Sequence, residues 1–267
     1  MKWGFIGAGH MGGALAQAAA AVVPPRDLWL ANRSAEKAEA LARQLGAQTA
    51  SNAAIAAECG YVFLGVKPQM MEAMLREIAP VLAGRQTPFV LVSMAAGLTA
   101  ERIAQMAGGD YPVIRIMPNT PVSVGEGLIL YACSSAVTEE QLSEFLRVMA
   151  KSGRLDPLPE HLMDAGSAVS GCGPAFADLF MEALADGGVA CGLPRVKAQM
   201  YAAQMLLGSA KLLLESGEHP GALKDAVCSP GGTTIAGVRA LEEGGFRAGT
   251  MGAVIAAYEK TLELKKG

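Results

Sequence analysis

The chain has 267 residues, of which 51% are hydrophobic and 18% charged, and its mean hydropathy is +0.30. A chain of this length and composition can bury a large core and divide into two domains, which excludes a disordered protein. Its net charge of −3 and aromatic content of only 5% provide neither a basic surface nor many rings for stacking bases, so we expect no nucleic-acid partner.

The first elements predict a dinucleotide-binding unit. An apolar strand predicted over 2–6 runs into Gly7, Gly9 and Gly12, which have G-x-G-x-x-G spacing, and an Ala- and Leu-rich helix follows over 11–22. The first glycine permits a tight turn, the second lets the backbone approach a pyrophosphate, and the third lets the helix pack closely on the strand. The helix N-terminus would then face the phosphates.

The second predicted strand, 28–31, ends in Asn32, Arg33 and Ser34, where an NAD-binding protein would have an acidic residue for the ribose hydroxyls. A guanidinium group matches the geometry of a phosphate. The segment therefore predicts NADP(H) as the cofactor, with NAD(H) left open as a second one. In the alternative interpretation, Asn32 or Ser34 only caps the helix predicted over 35–45.

Apolar runs alternate with helical patterns as far as residue 151. This alternation is typical of βαβ units, and it predicts a Rossmann-type, doubly wound, mainly parallel sheet in a dinucleotide-binding domain over 1–160. The predicted strands are 61–66, 89–93, 112–116 and 127–133, and the predicted helices are 51–58, 69–83, 99–107 and 138–151.

Ligands of such sheets bind outside the carboxyl ends of the strands, so the segments that follow the strands are candidate cofactor loops. Small residues and prolines in these segments indicate loops that approach a ligand closely. Lys67 lies either over the ribose and phosphates or simply on the surface. The candidate loop residues are Val66, Lys67 and Pro68, then Ala95, Ala96 and Gly97, and finally the segment 117–121.

No strand pattern is evident after residue 160, which predicts an all-α domain over 161–267. Its helices carry more apolar residues than one small domain needs for its own core, so we expect a homodimer or a larger assembly. Glycine and proline at 171–174 interrupt the first helix, which indicates a kink, a helix start, or a close helix contact. The predicted helices are 163–190, 195–216, 220–227, 234–243 and 247–265.

A Gly-Gly turn at Gly231 and Gly232 opens a helix that has Thr233 and Thr234 in its first positions. Backbone N–H groups and hydroxyls in this arrangement form an anion pocket that suits a carboxylate. The alternative is that one of the two threonines is only a helix N-cap.

The five cysteines are odd in number and include no C-x-x-C pair, which is typical of reduced thiols in the cytoplasm. The glycines at 7–13 argue against a signal peptide, and no apolar run of about 18 residues predicts a membrane span. Three widely spaced histidines predict no metal site.

Taken together, these segments resemble the pyrroline-5-carboxylate reductase family, whose members make proline from a cyclic imino acid with NAD(P)H. The resemblance spans nearly the whole chain. It rests on the segments GFIGAGHMG, VKPQ, SMAAG, RIMPNTP, SGCGPAF, ALADGGVACGLPR and HPGALKDAVCSPGGTTIAGVRALE.

The resemblance implies NAD(P)H-dependent reduction of 1-pyrroline-5-carboxylate to L-proline by a homodimer or a higher oligomer such as a decamer. It places the substrate on Ser229, Gly231, Gly232, Thr233 and Thr234, with the hydroxyl of Thr234 at the ring nitrogen. It also implies cofactor contacts from Ala8, His10, Met11, Ser34, Asn52, Val66, Lys67 and Ala96. The chain departs from some family members in having Phe176 in place of tyrosine and Gly217 in place of an acidic residue.

Three other functions agree less well with the sequence. A 3-hydroxyacid dehydrogenase would have a helix lysine shortly after Gly171 and Gly173, but none follows. A ketopantoate-type reductase could use Lys197 or Lys224 as its basic residue, yet it leaves the segment 229–234 unexplained. A non-catalytic NADP(H)-sensing scaffold would have lost the substrate loop, which is intact here.

Overall fold

The computed structural model describes residues 1–264, so the last residues of the helix predicted over 247–265 and of the domain predicted over 161–267 lie outside the described residues. The chain forms two compact units. One comprises Met1–Cys172 together with the segment that begins at Ala257, and the other comprises Gly173–Ala256. The boundary at residue 160 therefore stays a proposal based on composition.

The first unit contains one eight-stranded sheet with the order β3-β2-β1-β4-β5-β6-β7-β8. Neighbouring strands are parallel except for β6 and β7, so the prediction of a mainly parallel, doubly wound sheet is confirmed. The order reverses at β1, which lies between β2 and β4. The strands are β1 (Trp3–Ile6), β2 (Leu28–Ala31), β3 (Gln48–Thr49), β4 (Tyr61–Leu64), β5 (Val90–Ser93), β6 (Val113–Met117), β7 (Gly127–Cys133) and β8 (Gly153–Pro157).

Twelve α-helices lie within the described residues, and most agree with the predicted ranges to within two residues. They are α1 (His10–Ala20), α2 (Ala35–Leu45), α3 (Asn52–Glu58), α4 (Pro68–Ala83), α5 (Ala100–Ala107), α6 (Glu139–Met149), α7 (Met163–Ser170), α8 (Gly173–Ala190), α9 (Arg195–Ser216), α10 (Pro220–Ala226), α11 (Thr233–Glu243) and α12 (Phe246–Leu264).

The central strands are buried on both faces, which explains their continuous apolar runs. Trp3, Phe5 and Phe63 belong to the core cluster on one face, where Trp3 and Tyr61 stack with ring centroids 4.1 Å apart. The cluster on the other face includes Ile6 and apolar residues of α3, α4 and α5. Two covered faces leave the carboxyl ends of the strands as the natural place for a ligand.

Two strands were not predicted from the sequence, and both lie at the edges of the sheet. β3 has only two residues, both exposed, and β8 carries Arg154, Asp156 and Pro157, so neither shows an apolar pattern. Charged residues and proline are typical of edge strands, where a missing N–H group breaks no ladder. Apolar periodicity therefore detects only the strands whose faces are buried.

The prediction of one helix over 163–190 is wrong, because the helix is interrupted at Gly171 and Cys172. The amides of both residues donate to the carbonyl of Ser167, at 2.8 and 3.1 Å, and these bonds end α7. α8 then starts at Gly173, so the interpretation as a helix start is confirmed. A Cβ atom built on Gly173 meets no described atom of this chain within 4 Å.

The helical unit has little core of its own. Within Gly173–Ala256, the buried residues are three alanines, Ala185, Ala198 and Ala202. Large apolar side chains on the same helices are exposed to solvent, among them Leu179 (67%), Val196 (78%), Leu214 (72%) and Met251 (61%). Many exposed apolar side chains beside so small a core are typical of an interaction face. Within residues 1–264, no helix combines the length and apolar character that crossing a bilayer requires.

Candidate active site

The glycine loop after β1 has the geometry that its spacing predicts. Gly7 adopts φ +95°, and a Cβ atom there would lie 2.6 Å from the backbone carbonyl of Gly65. A Cβ atom on Gly12 would lie 2.3 Å from the carbonyl oxygen of Gly7, whereas a Cβ atom on Gly9 would meet nothing within 4 Å. Gly7 and Gly12 are thus required by close packing, and Gly9 borders open space that a ligand could fill.

The N-terminus of α1 has free amides that could bind an anion. Gly9 is its N-cap and provides no side-chain bond, while the first helical bond runs from the amide of Gly13 to the carbonyl of Gly9 at 2.7 Å. The amides of the helix's first residues, which include His10 and Met11, therefore have no side-chain cap and point along the positive end of the dipole. A pyrophosphate fits this end of the helix, and Ala8 leads into it as a buried residue.

The loop after β2 presents an unpaired arginine. The amide nitrogen Nδ2 of Asn32 donates to the carbonyl of Ser34 at 3.2 Å, and Ser34 is the N-cap residue of α2 but its hydroxyl caps no amide. Ser34 thus occupies the N-cap position, as the alternative interpretation expects, but neither side chain forms a cap hydrogen bond to an amide of α2. Arg33 is exposed and forms no ion pair within residues 1–264. Its guanidinium group is therefore available to bind an anion such as a 2′-phosphate.

The remaining predicted cofactor residues lie in loops or at helix starts that follow the carboxyl ends of the strands. Lys67 is the exposed N-cap of α4, with Val66 before it and Pro68 as the first helical residue. After β5, Ala95 is buried, Ala96 is exposed and Gly97 has φ +81°. Asn52 begins α3, where its Nδ2 donates to the Glu77 carboxylate at 3.2 Å.

Backbone hydrogen bonds bring the loops after β1, β2 and β4 together. The amides of Gly7 and Ala8 both donate to the carbonyl of Ala31, at 2.8 and 3.1 Å, and the amide of Gly65 donates to Ile6 at 2.7 Å. These loops form one continuous edge along neighbouring strands. That edge is the place at which doubly wound sheets bind dinucleotides, because the strand order reverses there.

The second unit contains the predicted substrate loop, which begins with a tight turn at 229–232. The amide of Gly232 donates to the carbonyl of Ser229 at 3.0 Å, and Gly231 has φ +67°. Pro230 is the second residue of this turn and Gly231 the third. This is the pattern of a type II turn, whose third residue has a positive φ and is therefore usually glycine. A Cβ atom on Gly232 would lie 2.3 Å from Oγ of Ser229, so this serine side chain would have to move to admit a larger residue.

The helix that follows this turn has no side-chain cap. Gly232 is the N-cap of α11, and Thr233 and Thr234 are its first two helical residues, so the interpretation of either threonine as the N-cap is wrong. The first intrahelical bond runs from the amide of Ala236 to the carbonyl of Gly232 at 3.3 Å. Three amides and two hydroxyls at the start of an 11-residue helix are therefore available to an anion.

The charged groups near this loop do not suggest a general acid. Lys224 forms a hydrogen-bonded ion pair with Asp225, and this bond raises the pKa of the lysine, which stays charged at neutral pH. Of the two lysines that a ketopantoate-type reductase could use, Lys224 is therefore engaged by its neighbour, and this pair does not involve Lys197. Within residues 1–264, no three His, Cys, Asp or Glu side chains cluster in a way that could hold a metal ion.

The comparisons with known proteins cover the whole chain. Residues 160–264 match the family model for pyrroline-5-carboxylate reductase dimerisation, and residues 2–97 match the one for NADP oxidoreductase, coenzyme F420-dependent. The chain is 41% identical to pyrroline-5-carboxylate reductase of Escherichia coli (strain K12), over 99% of this chain and 98% of the relative.

Two solved structures show the same similarity. The Plasmodium falciparum pyrroline carboxylate reductase with NADP bound has a TM-score of 0.87 and 31% identity, with 99% of this chain and 98% of that chain covered. The pyrroline-5-carboxylate reductase of Coxiella burnetii has a TM-score of 0.90 and 30% identity, with 100% and 99% covered.

The glycine loop predicts opposite results for two similar substitutions. Gly9→Ala keeps an ordinary φ of −78° and meets no described atom, so we expect an unchanged melting temperature but roughly tenfold weaker NADPH binding, about 1.4 kcal/mol. Gly7→Ala strains a positive φ and forces the chain against Gly65, so we expect its melting temperature to fall by several degrees. Calorimetry and a fluorescence titration measure both, and tight NADPH binding by Gly9→Ala would contradict the assignment.

Proposed function

The chain belongs to the pyrroline-5-carboxylate reductase family, and from this membership we propose that it reduces the C=N bond of 1-pyrroline-5-carboxylate to give L-proline. NADPH is the preferred reductant and NADH the second choice. The observation that carries the proposal is the uncapped N-terminus of α11, with the turn at 229–232 before it and the two threonines at its start.

We assign the substrate carboxylate to the amides at the start of α11. Thr233, Thr234 and the next residue each offer an N–H group that no side chain caps, and the helix dipole favours negative charge at this end. Gly231 and Gly232 keep the turn free of side chains, and the hydroxyl of Ser229 lies beside it. This arrangement suits the carboxylate of a small acid.

The reduction requires few catalytic groups from the protein itself. When bound, NADPH supplies the hydride that adds to the imine carbon. The residues of the chain orient the substrate, hold its carboxylate and bind the ring nitrogen, where one proton must also be present. A protonated imine forms more easily than a protonated carbonyl, so no strong general acid is needed. The hydroxyl of Thr234 is the group that we assign to the nitrogen, as a hydrogen-bonding partner or through a water molecule.

The loops of the first unit are assigned to the cofactor. Gly7, Gly9 and Gly12 form the cradle for the pyrophosphate, and the open space at Gly9 supports this assignment. Asn32, Arg33 and Ser34 are assigned to the 2′-phosphate. The other proposed cofactor contacts are Ala8, His10, Met11, Asn52, Val66, Lys67, Pro68, Ala95, Ala96 and Gly97.

The assignment of Thr234 predicts a loss of rate without a loss of fold. Thr234→Ala should lower kcat/KM for 1-pyrroline-5-carboxylate by roughly 10–100-fold, or about 1.4–2.7 kcal/mol, which corresponds to one hydrogen bond to a charged group. Thr234→Ser keeps the hydroxyl and should retain much of the rate. NADPH oxidation by wild type and both variants measures this, with Thr250→Ala, an exposed threonine on α12, as the matched control.

Two results would contradict these assignments separately. Wild type that fails to oxidise NADPH with this substrate would overturn the proposed function. Full activity in Thr234→Ala, accompanied only by a lower melting temperature, would show that the threonine is structural.

Arg33 predicts the cofactor preference. Arg33→Ala should lower the ratio of kcat/KM for NADPH to that for NADH by about 10–100-fold, because a charge-assisted bond to the 2′-phosphate contributes about 1.5–3 kcal/mol. Arg43→Ala provides a matched control, since this exposed arginine lies in the last turn of the same helix that Arg33 precedes. An unchanged ratio in Arg33→Ala, or a wild-type preference for NADH, would refute the role of this loop.

The helical unit is proposed to assemble the protein as a homodimer, or as a higher oligomer such as a decamer. The support is the match to a dimerisation domain together with the small buried core of Gly173–Ala256 and its exposed apolar side chains. Light scattering at micromolar concentration should give at least twice the chain mass of 27.5 kDa. A well-folded monomer would contradict the proposal.

The cysteines support a cytoplasmic location. All five are free thiols in the structure, including the exposed Cys133 and Cys191. Exposed free thiols suit a reducing compartment.

A further inference from the structure

Strand β6 and the loop that follows it are hydrogen-bonded to the two ends of helix α7. Arg115, on β6, is only 1% exposed, and its Nη2 lies 3.1 Å from Oδ1 of Asp164 in the first turn of α7. Asn119, in the loop that follows β6, donates from Nδ2 to the carbonyl of Ser170 at 3.1 Å. Ser170 is the last residue of α7. Helix α7 is therefore attached to β6 in its first turn and to the loop after β6 at its last residue. The position of α7 thus determines where that loop lies.

Asn119 is attached to a third backbone segment. Its Oδ1 accepts from the amide of Leu128, on β7, at 2.8 Å. One side-chain amide thus joins the loop after β6, the neighbouring strand and the end of α7. Both partners are backbone groups, so the bonds fix the path of the chain independently of the side chains at those positions.

The same network reaches the loop after β5. Nη1 of Arg115 lies 3.5 Å from Oε1 of Glu160, and this oxygen accepts from the amide of Ala100 at 2.7 Å. Ala100 is the first residue of α5, which directly follows the loop that contains Ala95 and Gly97. Glu160 therefore joins Arg115, in the middle of β6, to the start of α5. The loops that follow β5 and β6 both adjoin this network.

These two loops lie where the reactive end of the cofactor must reach. The pyrophosphate is assigned to the loop after β1 and the 2′-phosphate to the loop after β2, so the nicotinamide extends in the opposite direction, towards β4, β5 and β6. β6 lies three strand spacings from β1. At about 4.8 Å each, the distance is about 14 Å, which an extended dinucleotide can span.

We propose that Asn119 is a positioning residue of the reductase reaction. It holds the loop after β6 in place through its bonds to Ser170 and Leu128, and it thereby sets one wall of the space for the nicotinamide ring. This inference rests on the proposed function. Asn119 contacts neither substrate nor cofactor in this role, so it acts on orientation and not on binding.

The proposal predicts a loss of kcat in Asn119→Ala with little change in affinity. A shift of about 1 Å in reacting groups can cost about 100-fold in rate, so we expect kcat to fall by roughly 10–100-fold while the Kd for NADPH changes by less than about threefold. The assay is run where circular dichroism shows the variant fully folded. Asn119→Asp keeps the acceptor for Leu128 and loses the donor for Ser170, and it replaces the alanine variant if that protein is unstable.

Ser123→Ala is the matched control, because Ser123 donates to the carbonyl of Thr120 within the same loop and has no bond to α7 or β7 in the described structure. Its kcat should equal that of wild type. An unchanged kcat in both Asn119 variants, with only a lower melting temperature, would overturn the positioning role and leave a structural one.

Hydrogen exchange tests the proposal without reference to the substrate. Peptides covering 117–128 and 163–172 should exchange faster in Asn119→Ala than in wild type or Ser123→Ala, because two backbone anchors are lost. Unchanged exchange in both peptides would overturn the proposal. If wild type does not reduce 1-pyrroline-5-carboxylate, the proposed function fails, and the exchange result alone decides whether Asn119 positions these segments.

Discussion

The proposed binding sites depend on helix N-termini whose amides no side chain caps. In the first unit, α3, α5 and α6 are capped by Ser51, Thr99 and Thr138, whose hydroxyls accept amide bonds. Helices α1, α2, α4 and α7 have no such cap, and the first three begin at the proposed cofactor loops. In the second unit, α11 begins in the same way after Gly232. An amide left open at a helix N-terminus has a higher free energy than a capped one unless an anion or water binds it.

Glycine makes two of these sites possible, and for different reasons at different positions. Gly7 and Gly12 are required because a Cβ atom would meet neighbouring backbone atoms at 2.3–2.6 Å, and Gly231 is required because its φ is +67°. Gly9 has no such neighbour, and its lack of a side chain leaves space for a ligand. The spacing of these residues was readable from the sequence, since each backbone conformation is a local property. Most strands and helices were predictable for the same reason, because burial on both faces leaves an apolar pattern.

The features that the sequence did not reveal depend on contacts between distant residues. The edge strands β3 and β8 carry no apolar pattern, and their positions follow from pairing with β2 and β7. Asn119 lies in a loop that was recognised, but its partner Ser170 is 51 residues away and Asp164 is 49 residues from Arg115. Such pairs have no signature in a single sequence. The break between α7 and α8 was visible as Gly-Cys-Gly-Pro, yet only the bonds to Ser167 show that it is a helix end.

The most direct test of the central claim compares 1-pyrroline-5-carboxylate with 1-pyrroline, which has the same C=N bond but no carboxylate, under NADPH at saturating concentration. If the amides of α11 hold the carboxylate, kcat/KM for 1-pyrroline should be lower by at least about 100-fold, because two or more charge-assisted bonds of about 1.5–3 kcal/mol each are lost. Equal kcat/KM values for the two imines would show that the open N-terminus of α11 does not bind the substrate.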